Sequence, residues 1–183
     1  MKKILALLAL GLSVSLVPFT AAAHGPSPQK VEKTVTIKAD PAKVWAIVKD
    51  FGGIHKWHPG VASTKVEQNK VEKKGTDTFR TLTFKDGGNV YEKLRTIDDA
   101  SMKIKYEIVS GTLPLTDYNA TMTVEKGDKP GESKVTWVGR FYRLYKLNPP
   151  IPAGQDDETA VKAITGIFDS GLANLQKVAE NSK

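Results

Sequence analysis

The sequence predicts an α+β domain in which a mostly antiparallel sheet of about seven strands packs against a long C-terminal helix. Two observations lead to this expectation. Alternating apolar and polar residues recur in separate segments between residues 31 and 142, and short turn signals divide most of these segments. An apolar stripe at helical spacing then runs from Val161 to Val178. Because short turns favour antiparallel neighbours, the segments should form one sheet, on which the helix buries its stripe.

The first residues have the pattern of a secretory signal peptide. Lys2 and Lys3 precede an apolar run over residues 4–19, and small residues follow it at 21–23. The run is short for a membrane span and lacks a basic stop-transfer flank, so no stable membrane anchor is expected. Cleavage after Ala23 would deliver the protein to a bacterial periplasm and leave 160 of the 183 residues.

Size and composition indicate a single domain. A chain of this length can bury a sizeable core, and nothing in its composition marks a second unit. The formal charge of +7 falls to +5 without Lys2 and Lys3, and the remaining basic residues are spread along the predicted strands. Nucleic acid is therefore not an expected partner. With no cysteine, the chain has neither disulfides nor a lipidation cysteine.

An extended arm and a strand are expected at the start of the mature chain. Residues 24–30 contain two prolines and no apolar side chain, which predicts an arm ahead of a domain that spans 31–183. Residues 31–39 alternate, with Val35 and Ile37 on one face, as in a half-buried strand.

Two short helices are expected next. Asp40 provides an N-cap and Pro41 suits the first position of a helix over 41–50. A Gly-Gly pair ends this helix, and a second helical turn follows over 54–58.

Six strands and the long helix complete the predicted order, and there is no internal repeat. The strands cover residues 61–68, 76–84, 89–97, 102–109, 118–125 and 134–142. A proline-containing loop over 145–157 then crosses the sheet. The helix starts at Asp157, and its apolar stripe consists of Val161, Ile164, Ile167, Phe168, Leu172, Leu175 and Val178.

Two charged side chains fall on the inward faces of neighbouring predicted strands. Arg80 shares its parity with Leu82, and Glu92 shares its parity with Val90. A single buried charge is costly, so two opposite charges that face inward together predict an ion pair in a polar, partly wet cavity. A slip of either strand by one residue would instead turn its charge outward into an ordinary surface ion pair.

Short stretches of the chain resemble the START/polyketide cyclase-like (SRPBCC) superfamily. They are IKADPAKVWAIVKDF at 37–51, WHP at 57–59, GTDTFR at 75–80, EKL at 92–94 and LPLTDY at 113–118. With the order of elements, the resemblance covers essentially the whole mature chain. It implies the helix-grip fold, in which a curved sheet wraps the C-terminal helix and encloses a cavity.

The resemblance makes the inward side chains candidates for ligand contacts, although most of them also fit an ordinary core. It implies a small apolar ligand and two loops, 85–89 and 110–117, that gate the cavity. The candidate ligand-binding residues are Leu82, Phe84, Leu94, Tyr106, Tyr118, Met122, Trp137, Phe141 and Phe168. Buried tyrosine hydroxyls need polar partners, so Tyr106 and Tyr118 are expected to reach the charged pair or the ligand, whereas Trp137 also suits plain sheet packing.

Arg80 and Glu92 match positions where lachrymatory-factor-synthase-like and hormone-receptor-like members carry an Arg and a Glu in the cavity. The resemblance implies candidate catalytic roles in a cyclase- or isomerase-like reaction on a small carbonyl-type substrate. Glu92 would move a proton, and Arg80 would stabilise negative charge. The pair also suits binding of a ligand carboxylate, or a structural role. Because an arginine partner lowers the pKa of a carboxylate and weakens it as a base, binding or structure is favoured over catalysis.

The signal peptide, the HGP arm and the WHP and LPLTDY stretches resemble the exported MxaD-type group of this superfamily. That resemblance implies an accessory role in methanol oxidation, in which the protein assists methanol dehydrogenase and its cytochrome partner. Trp57 and His58 are then candidates for an exposed partner contact. The alternative places Trp57 over the cavity.

The three histidines raise the question of a metal site. A free N-terminal His24 would offer its amine and imidazole to copper. His55 and His58 have a spacing that is common by chance, and no acidic or cysteine cluster accompanies them. Neither a metal site nor a cofactor is therefore expected.

Overall fold

The computed structural model describes residues 25–71 and 75–182, and it confirms the expected fold class. A seven-stranded antiparallel sheet curves around one long helix in the helix-grip arrangement. The elements in chain order are β1 (Gln29–Ile37), α1 (Pro41–Val48), a 3-10 turn (Ile54–Lys56), β2 (Val61–Val71), β3 (Gly75–Phe84), β4 (Asn89–Asp98), β5 (Lys103–Gly111), β6 (Leu115–Lys126), β7 (Ser133–Arg143) and α2 (Asp157–Asn181).

The sheet is a meander with one long-range addition. Its strand order is β1-β7-β6-β5-β4-β3-β2, so β2 to β7 each pair with the next strand along the chain. β1 pairs with β7 over its whole length, from Gln29 opposite Phe141 to Ile37 opposite Ser133. β1 and β2 are therefore the two edges of the sheet.

The short helix α1 begins as the sequence predicts and ends earlier. The Asp40 carboxylate accepts from the backbone N–H of Ala42 at 2.8 Å, and proline occupies the first turn. The helix ends at Val48, because the carbonyl of Asp50 instead accepts from Gly53 in a turn at 2.8 Å. The second short helix expected over 54–58 is only a single 3-10 turn.

The long helix α2 begins at the predicted Asp157, where Asp156 caps it by accepting from Thr159 N–H at 2.7 Å. Its buried face differs from the predicted stripe. Val161, Ile167 and Val178 are only partly buried. Three of the buried positions are small residues, Ala160, Gly171 and Ala179, which let the helix approach the sheet closely. The buried residues of α2 are Ala160, Ile164, Phe168, Gly171, Leu172, Leu175 and Ala179.

Most strand boundaries differ from the sequence prediction by one to three residues. β1 starts at Gln29 instead of residue 31, because the end of the expected arm already pairs with β7. β5 extends to Gly111 and β6 starts at Leu115, which shortens the expected 110–117 loop. The register of β6 with β7 shifts between Thr116 and Asn119, where Asp117 adopts a positive φ of 53°. This bulge interrupts the alternation of apolar and polar residues, so the sequence pattern does not reveal the first residues of β6.

The predicted signal peptide, its cleavage site after Ala23 and the N-terminal His24 lie outside the described residues. Within 25–71 and 75–182, no helix combines the length and the apolar character that crossing a membrane requires.

Candidate functional site

Arg80 and Glu92 form the ion pair that the strand alternation predicts. They lie directly opposite each other on β3 and β4, and each residue is only 4% exposed. Arg80 Nε donates to Glu92 Oε2 at 2.5 Å. The two strands therefore place a fully desolvated charge pair inside the sheet, and the register confirms the inward interpretation over the surface ion pair.

The rest of the Arg80 guanidinium is held by its surroundings. Nη1 donates to the backbone carbonyl of Phe51 at 2.7 Å. The guanidinium carbon lies 4.1 Å from the ring centre of Phe51 and 5.0 Å from that of Tyr106, within the range of cation–π attraction. Phe51, three residues after the end of α1, thus helps to fix the arginine.

Burial raises the pKa of the Glu92 carboxyl above its ordinary value, and the Arg80 charge only partly opposes this rise. The sequence-based expectation was the reverse, because it considered the arginine partner and not the loss of water. The correction matters chemically, since a carboxyl group with a raised pKa is a better proton acceptor than an ordinary surface carboxylate.

A small internal cavity lies next to Glu92, between the sheet and α2. Its volume is about 30 Å³, and a cavity needs roughly 10–15 Å³ to hold one water molecule. The lining residues are His58, Val61, Leu82, Phe84, Val90, Glu92, Tyr106, Ile108, Leu113, Tyr118, Trp137, Ile164 and Ile167. Of the charged pair, Glu92 lines this cavity and Arg80 does not. The interior therefore presents a carboxylate, two phenols, an imidazole and an otherwise mainly apolar wall.

The two tyrosines of the cavity wall remain protonated. Burial is the main reason that the pKa of Tyr106 and that of Tyr118 both lie well above the ordinary tyrosine value. Trp137 Nε1 donates to the Tyr106 hydroxyl at 2.9 Å, and the rings of Tyr106 and Tyr118 are 6.4 Å apart. Trp137 thus positions Tyr106 and also lines the cavity.

Five of the nine candidate ligand-binding residues line the cavity, and the other four do not. Leu82, Phe84, Tyr106, Tyr118 and Trp137 are at the cavity wall. Leu94 is partly buried beside a β-bulge, and Met122 is buried opposite Trp137 on the neighbouring strand. Phe141 stacks on Tyr118 at 6.1 Å, and Phe168 stacks on Trp137 at 4.2 Å, so these two rings build the core behind the wall.

Trp57 and His58 do not form the exposed contact patch considered for them, and that expectation is wrong. Each residue is 3% exposed. Trp57 packs edge-on against Trp137 with ring centres 5.9 Å apart, and Asn174 of α2 donates to its carbonyl at 2.8 Å. Apolar packing between the 3-10 turn, the sheet and α2 draws both rings inward. His58 lines the cavity and Trp57 does not, so the alternative that placed Trp57 over the cavity is not met either.

His58 joins the 3-10 turn to α2 through both of its ring nitrogens. The Gly60 N–H donates to Nδ1 at 3.1 Å, so Nε2 carries the proton and donates to the Ile167 carbonyl at 3.0 Å. Burial lowers the pKa of His58 and keeps the ring neutral. Gly171 makes room for it, since a Cβ there would lie 2.6 Å from His58 Cδ2. His55, by contrast, contacts Gly52 and Thr64, so the two histidines do not converge on one site.

Two outer clefts meet the internal cavity at Leu113. The α2 cleft, of about 360 Å³, is lined by His58, Gly60, Phe84, Asp86, Leu113, Lys162, Ala163, Gly166, Ile167 and Ser170. The β5–β6 cleft, of about 420 Å³, is lined by Ile108, Val109, Ser110, Gly111, Leu113, Leu115, Thr116, Asp117, Tyr118, Leu144 and Lys146. Leu113 belongs to the walls of both clefts and of the internal cavity. Sequence reasoning placed it in a gating loop but did not select it, although it lies within the LPLTDY stretch.

The two expected gating loops are bonded to each other. Thr112 N–H donates to the Asn89 carbonyl at 2.9 Å, and Thr112 Oγ1 accepts from Asn89 N–H at 3.0 Å. Thr112 follows β5 and Asn89 begins β4, so these bonds hold the β3–β4 and β5–β6 connections together beside Leu113. The structure therefore has its loops in a joined arrangement over the small cavity.

Comparisons with known proteins agree on one family and one fold. Residues 28–180 match the family model described as polyketide cyclase/dehydrase and lipid transport. Among solved structures, the protein XoxI from Bacillus cereus has 26% identity and a TM-score of 0.67, over 83% of this chain and 96% of that one. An uncharacterised protein from Bacillus thuringiensis has 25% identity and a TM-score of 0.66, over 82% of this chain and 98% of its own.

A more distant likeness supports the fold alone. A START superfamily protein from Mycobacterium smegmatis has 15% identity and a TM-score of 0.62, over 82% of this chain and 97% of that one. No protein with a curated functional description matches the chain. The comparisons thus establish a family and an architecture, and the chemistry of the site has to come from its residues.

Proposed function

The chain belongs to the polyketide cyclase/dehydrase and lipid transport family, and on that premise we propose that it binds a small, largely apolar molecule where the two outer clefts meet the internal cavity. The observation that carries this proposal is the position of Leu113, which forms part of all three walls. A ligand seated there extends from an open cleft towards Glu92.

The α2 cleft is the better seat for the body of such a ligand. It shares His58, Phe84 and Ile167 with the internal cavity, in addition to Leu113. Phe84, Leu113 and Ile167 provide apolar contacts and are only partly buried, so a ligand would remove their remaining surface from water. The cavity itself is too small for more than the end of a molecule.

Binding in this seat requires the loops to part. The Asn89–Thr112 bonds hold the two connections together, and a further bond from Leu115 N–H to the Leu113 carbonyl at 2.8 Å holds Leu113 itself. We expect ligand association to be slower than diffusion for this reason, and expect Thr112→Ala to accelerate it.

A tryptophan at the meeting point tests the proposal. Leu113→Trp fills the space that all three walls share, and should weaken binding of a neutral naphthylamine dye at least about tenfold by steric exclusion. Leu147→Trp is the matched control, since Leu147 is 67% exposed and lies outside the three walls. Fluorescence titration measures the affinity of each variant for the dye. Unchanged affinity in Leu113→Trp, or a wild type that binds no apolar probe, would contradict the proposal.

The N-terminal sequence supports export as part of the same proposal. A basic start, an apolar run and small residues before His24 suit cleavage and release into a periplasm. The mass of the protein recovered from the periplasmic fraction should correspond to a chain that starts at His24. Recovery of the full-length chain from the cytoplasm would contradict export.

A second candidate function is an accessory role in methanol oxidation, and two observations favour it. The WHP and LPLTDY stretches resemble MxaD-type exported proteins, and XoxI is among the similar structures. With Trp57 buried, the exposed apolar residues that remain for a partner contact include Leu144 and Leu147, at the start of the loop after β7. Addition of the mature protein to purified methanol dehydrogenase and its cytochrome should increase their electron-transfer rate. A Leu147→Ser variant should lose that increase, and an unaffected rate with wild type would rule this role out.

A further inference from the structure

We propose that the ligand end which reaches the internal cavity is a hydrogen-bond donor, either a hydroxyl or a primary ammonium group, and that carboxylate-ended ligands are rejected. This inference rests on the proposed ligand-binding function and names the chemical class of the ligand. It follows from an asymmetry within the charged pair: Glu92 lines the cavity, and Arg80 does not.

The arginine lies outside the cavity wall, and two of its three guanidinium nitrogens already have partners. Its Nε is bound to Glu92 Oε2 and its Nη1 to the Phe51 carbonyl. Its guanidinium also lies near the rings of Phe51 and Tyr106, at 4.1 and 5.0 Å from their centres. Turning towards the cavity would break the bond to the Phe51 carbonyl and leave a buried acceptor without its partner.

The carboxylate, in contrast, has an acceptor to offer. Arg80 donates to Glu92 Oε2. The other carboxylate oxygen, Oε1, remains as a second acceptor, and Glu92 is part of the cavity wall. A hydroxyl or ammonium hydrogen bond to this oxygen is charge-assisted. A ligand carboxylate would instead place a second negative charge beside Glu92 in a water-poor site.

The other polar groups of the wall do not reverse this preference. His58 uses one ring nitrogen to donate to the Ile167 carbonyl and the other to accept from Gly60, so it has no free hydrogen bond for a ligand. The Tyr106 hydroxyl already accepts from Trp137, and both cavity tyrosines are neutral. Glu92, which is paired with Arg80, is therefore the only acidic side chain among the described residues of the cavity wall.

The dimensions agree with a ligand of this kind. The internal cavity of about 30 Å³ accepts a hydroxyl or ammonium group, and the α2 cleft of about 360 Å³ accepts an alkyl or small ring body. The internal cavity is the narrow, polar end of the proposed binding site, the α2 cleft is its wider and mostly apolar outer part, and Leu113 lines both. A single donor group at the end of an apolar body matches both parts.

A matched series of ligands tests the inference on the wild-type protein. Octanol, octylammonium and octanoate share one tail and differ in the head group, and displacement of the neutral naphthylamine dye at neutral pH reports their affinities. Octanol and octylammonium should bind, and octanoate should bind at least about tenfold more weakly, because like charges brought together at a binding site disfavour association. Octanoate binding as tightly as octanol would overturn the inference and leave the proposed function intact. Failure of all three ligands and of the dye would overturn both.

Substitutions locate the source of the preference. Glu92→Gln keeps an acceptor oxygen and removes the charge, so it should reduce the discrimination between octylammonium and octanoate at least about tenfold. Glu107→Gln is the control, because Glu107 is on β5, pairs with Arg95 and lies outside the cavity wall. If Asp86→Asn at the outer wall of the α2 cleft removes the discrimination instead, the ligand binds in the opposite direction and the inference is wrong. If Glu92→Gln does not fold, the wild-type series still decides.

Discussion

Two arginines are buried among the residues that the structure describes, and they lie in different regions. Arg80 is 4% exposed and pairs with Glu92, which is equally buried, next to the internal cavity. Arg143 is 5% exposed and pairs with Asp157 at 3.0 Å, but the Asp157 side chain retains 34% of its exposure. The first pair lies in the interior and is called the sealed pair below, and the second is at the boundary with solvent. An arginine–carboxylate pair therefore lies beside the proposed ligand seat in one region, and in the other region it anchors the loop that follows β7.

The contacts of Arg143 show how the loop anchor works. Its Nε donates to the Tyr145 carbonyl at 2.7 Å and Nη2 donates to the Leu147 carbonyl at 3.2 Å. With the Asp157 bond, one guanidinium holds the start of the loop after β7 and the first residue of α2. The difference between the two regions is that Arg143 satisfies backbone carbonyls of a surface loop, whereas Arg80 neutralises a carboxylate in the protein interior.

The largest expected effect comes from breaking the sealed pair. Arg80→Met leaves Glu92 buried without its partner and should lower the free energy of unfolding by about 3–5 kcal/mol. Urea unfolding at neutral pH measures it. The double variant Arg80→Met with Glu92→Leu should recover most of the loss, since it removes both charges. A single variant as stable as wild type would mean that the pair is not desolvated.

Removing the loop anchor should cost less. Arg143→Met leaves two carbonyls that water can partly reach, so the expected loss is about 1–3 kcal/mol. Hydrogen exchange should then increase in the loop after β7 and at the start of α2, and should stay unchanged around Glu92. Equal losses for the Arg80 and Arg143 variants would remove the distinction between the two regions.

Lowering the pH should affect the region around the cavity, where His58 is buried. The pKa of buried His58 is lowered, so below the ordinary histidine value of about 6.5 the unfolded chain binds a proton that the folded protein does not. Stability is therefore complete above that value and falls as the pH decreases towards the folded pKa, by no more than about 1.4 kcal/mol per pH unit. His58→Gln should flatten this dependence. His55→Gln, a change at an exposed histidine, should leave it as in wild type.

The smallest expected effect is at the partner of Arg143. Asp157→Asn removes a charge that is one-third exposed, and such pairs contribute about 0–1 kcal/mol. The same change in the sealed pair, Glu92→Gln, should cost more, because a buried arginine then lacks its counter-charge. Thermal unfolding of the two variants compares them directly. A larger effect for Asp157→Asn would reverse the order proposed for the two regions.

Alternation was sufficient to predict Arg80 and Glu92, because regular strands fix the side on which each residue lies. The same parity continues in β7 from Phe141 to Arg143, but the predicted strand ended at residue 142 and so omitted the second buried arginine. A strand extended by one residue would have included it.

Positions that depend on tertiary packing were not predictable from local patterns. The bulge at Asp117 interrupts alternation, which concealed the start of β6 and the position of Leu113 between the clefts. Trp57 and His58 are in an irregular turn, where no period indicates a face, and only the approach of Gly171 on α2 makes a place for the histidine ring. The net effect of burial on Glu92 likewise depends on solvent exclusion, which a sequence does not display.

The pairing of β1 with β7 has a consequence for the order in which the chain folds. Ile37 lies opposite Ser133 and Gln29 opposite Phe141, so the first strand to be synthesised finds its neighbour only when β7 is complete. The meander from β2 to β7 can form by successive local hairpins, while β1 must close a loop that contains most of the domain. Until then β7 has an open edge that another chain can occupy. We therefore expect completion of the sheet to be a late event in folding, with the first strand of the domain the last to be added.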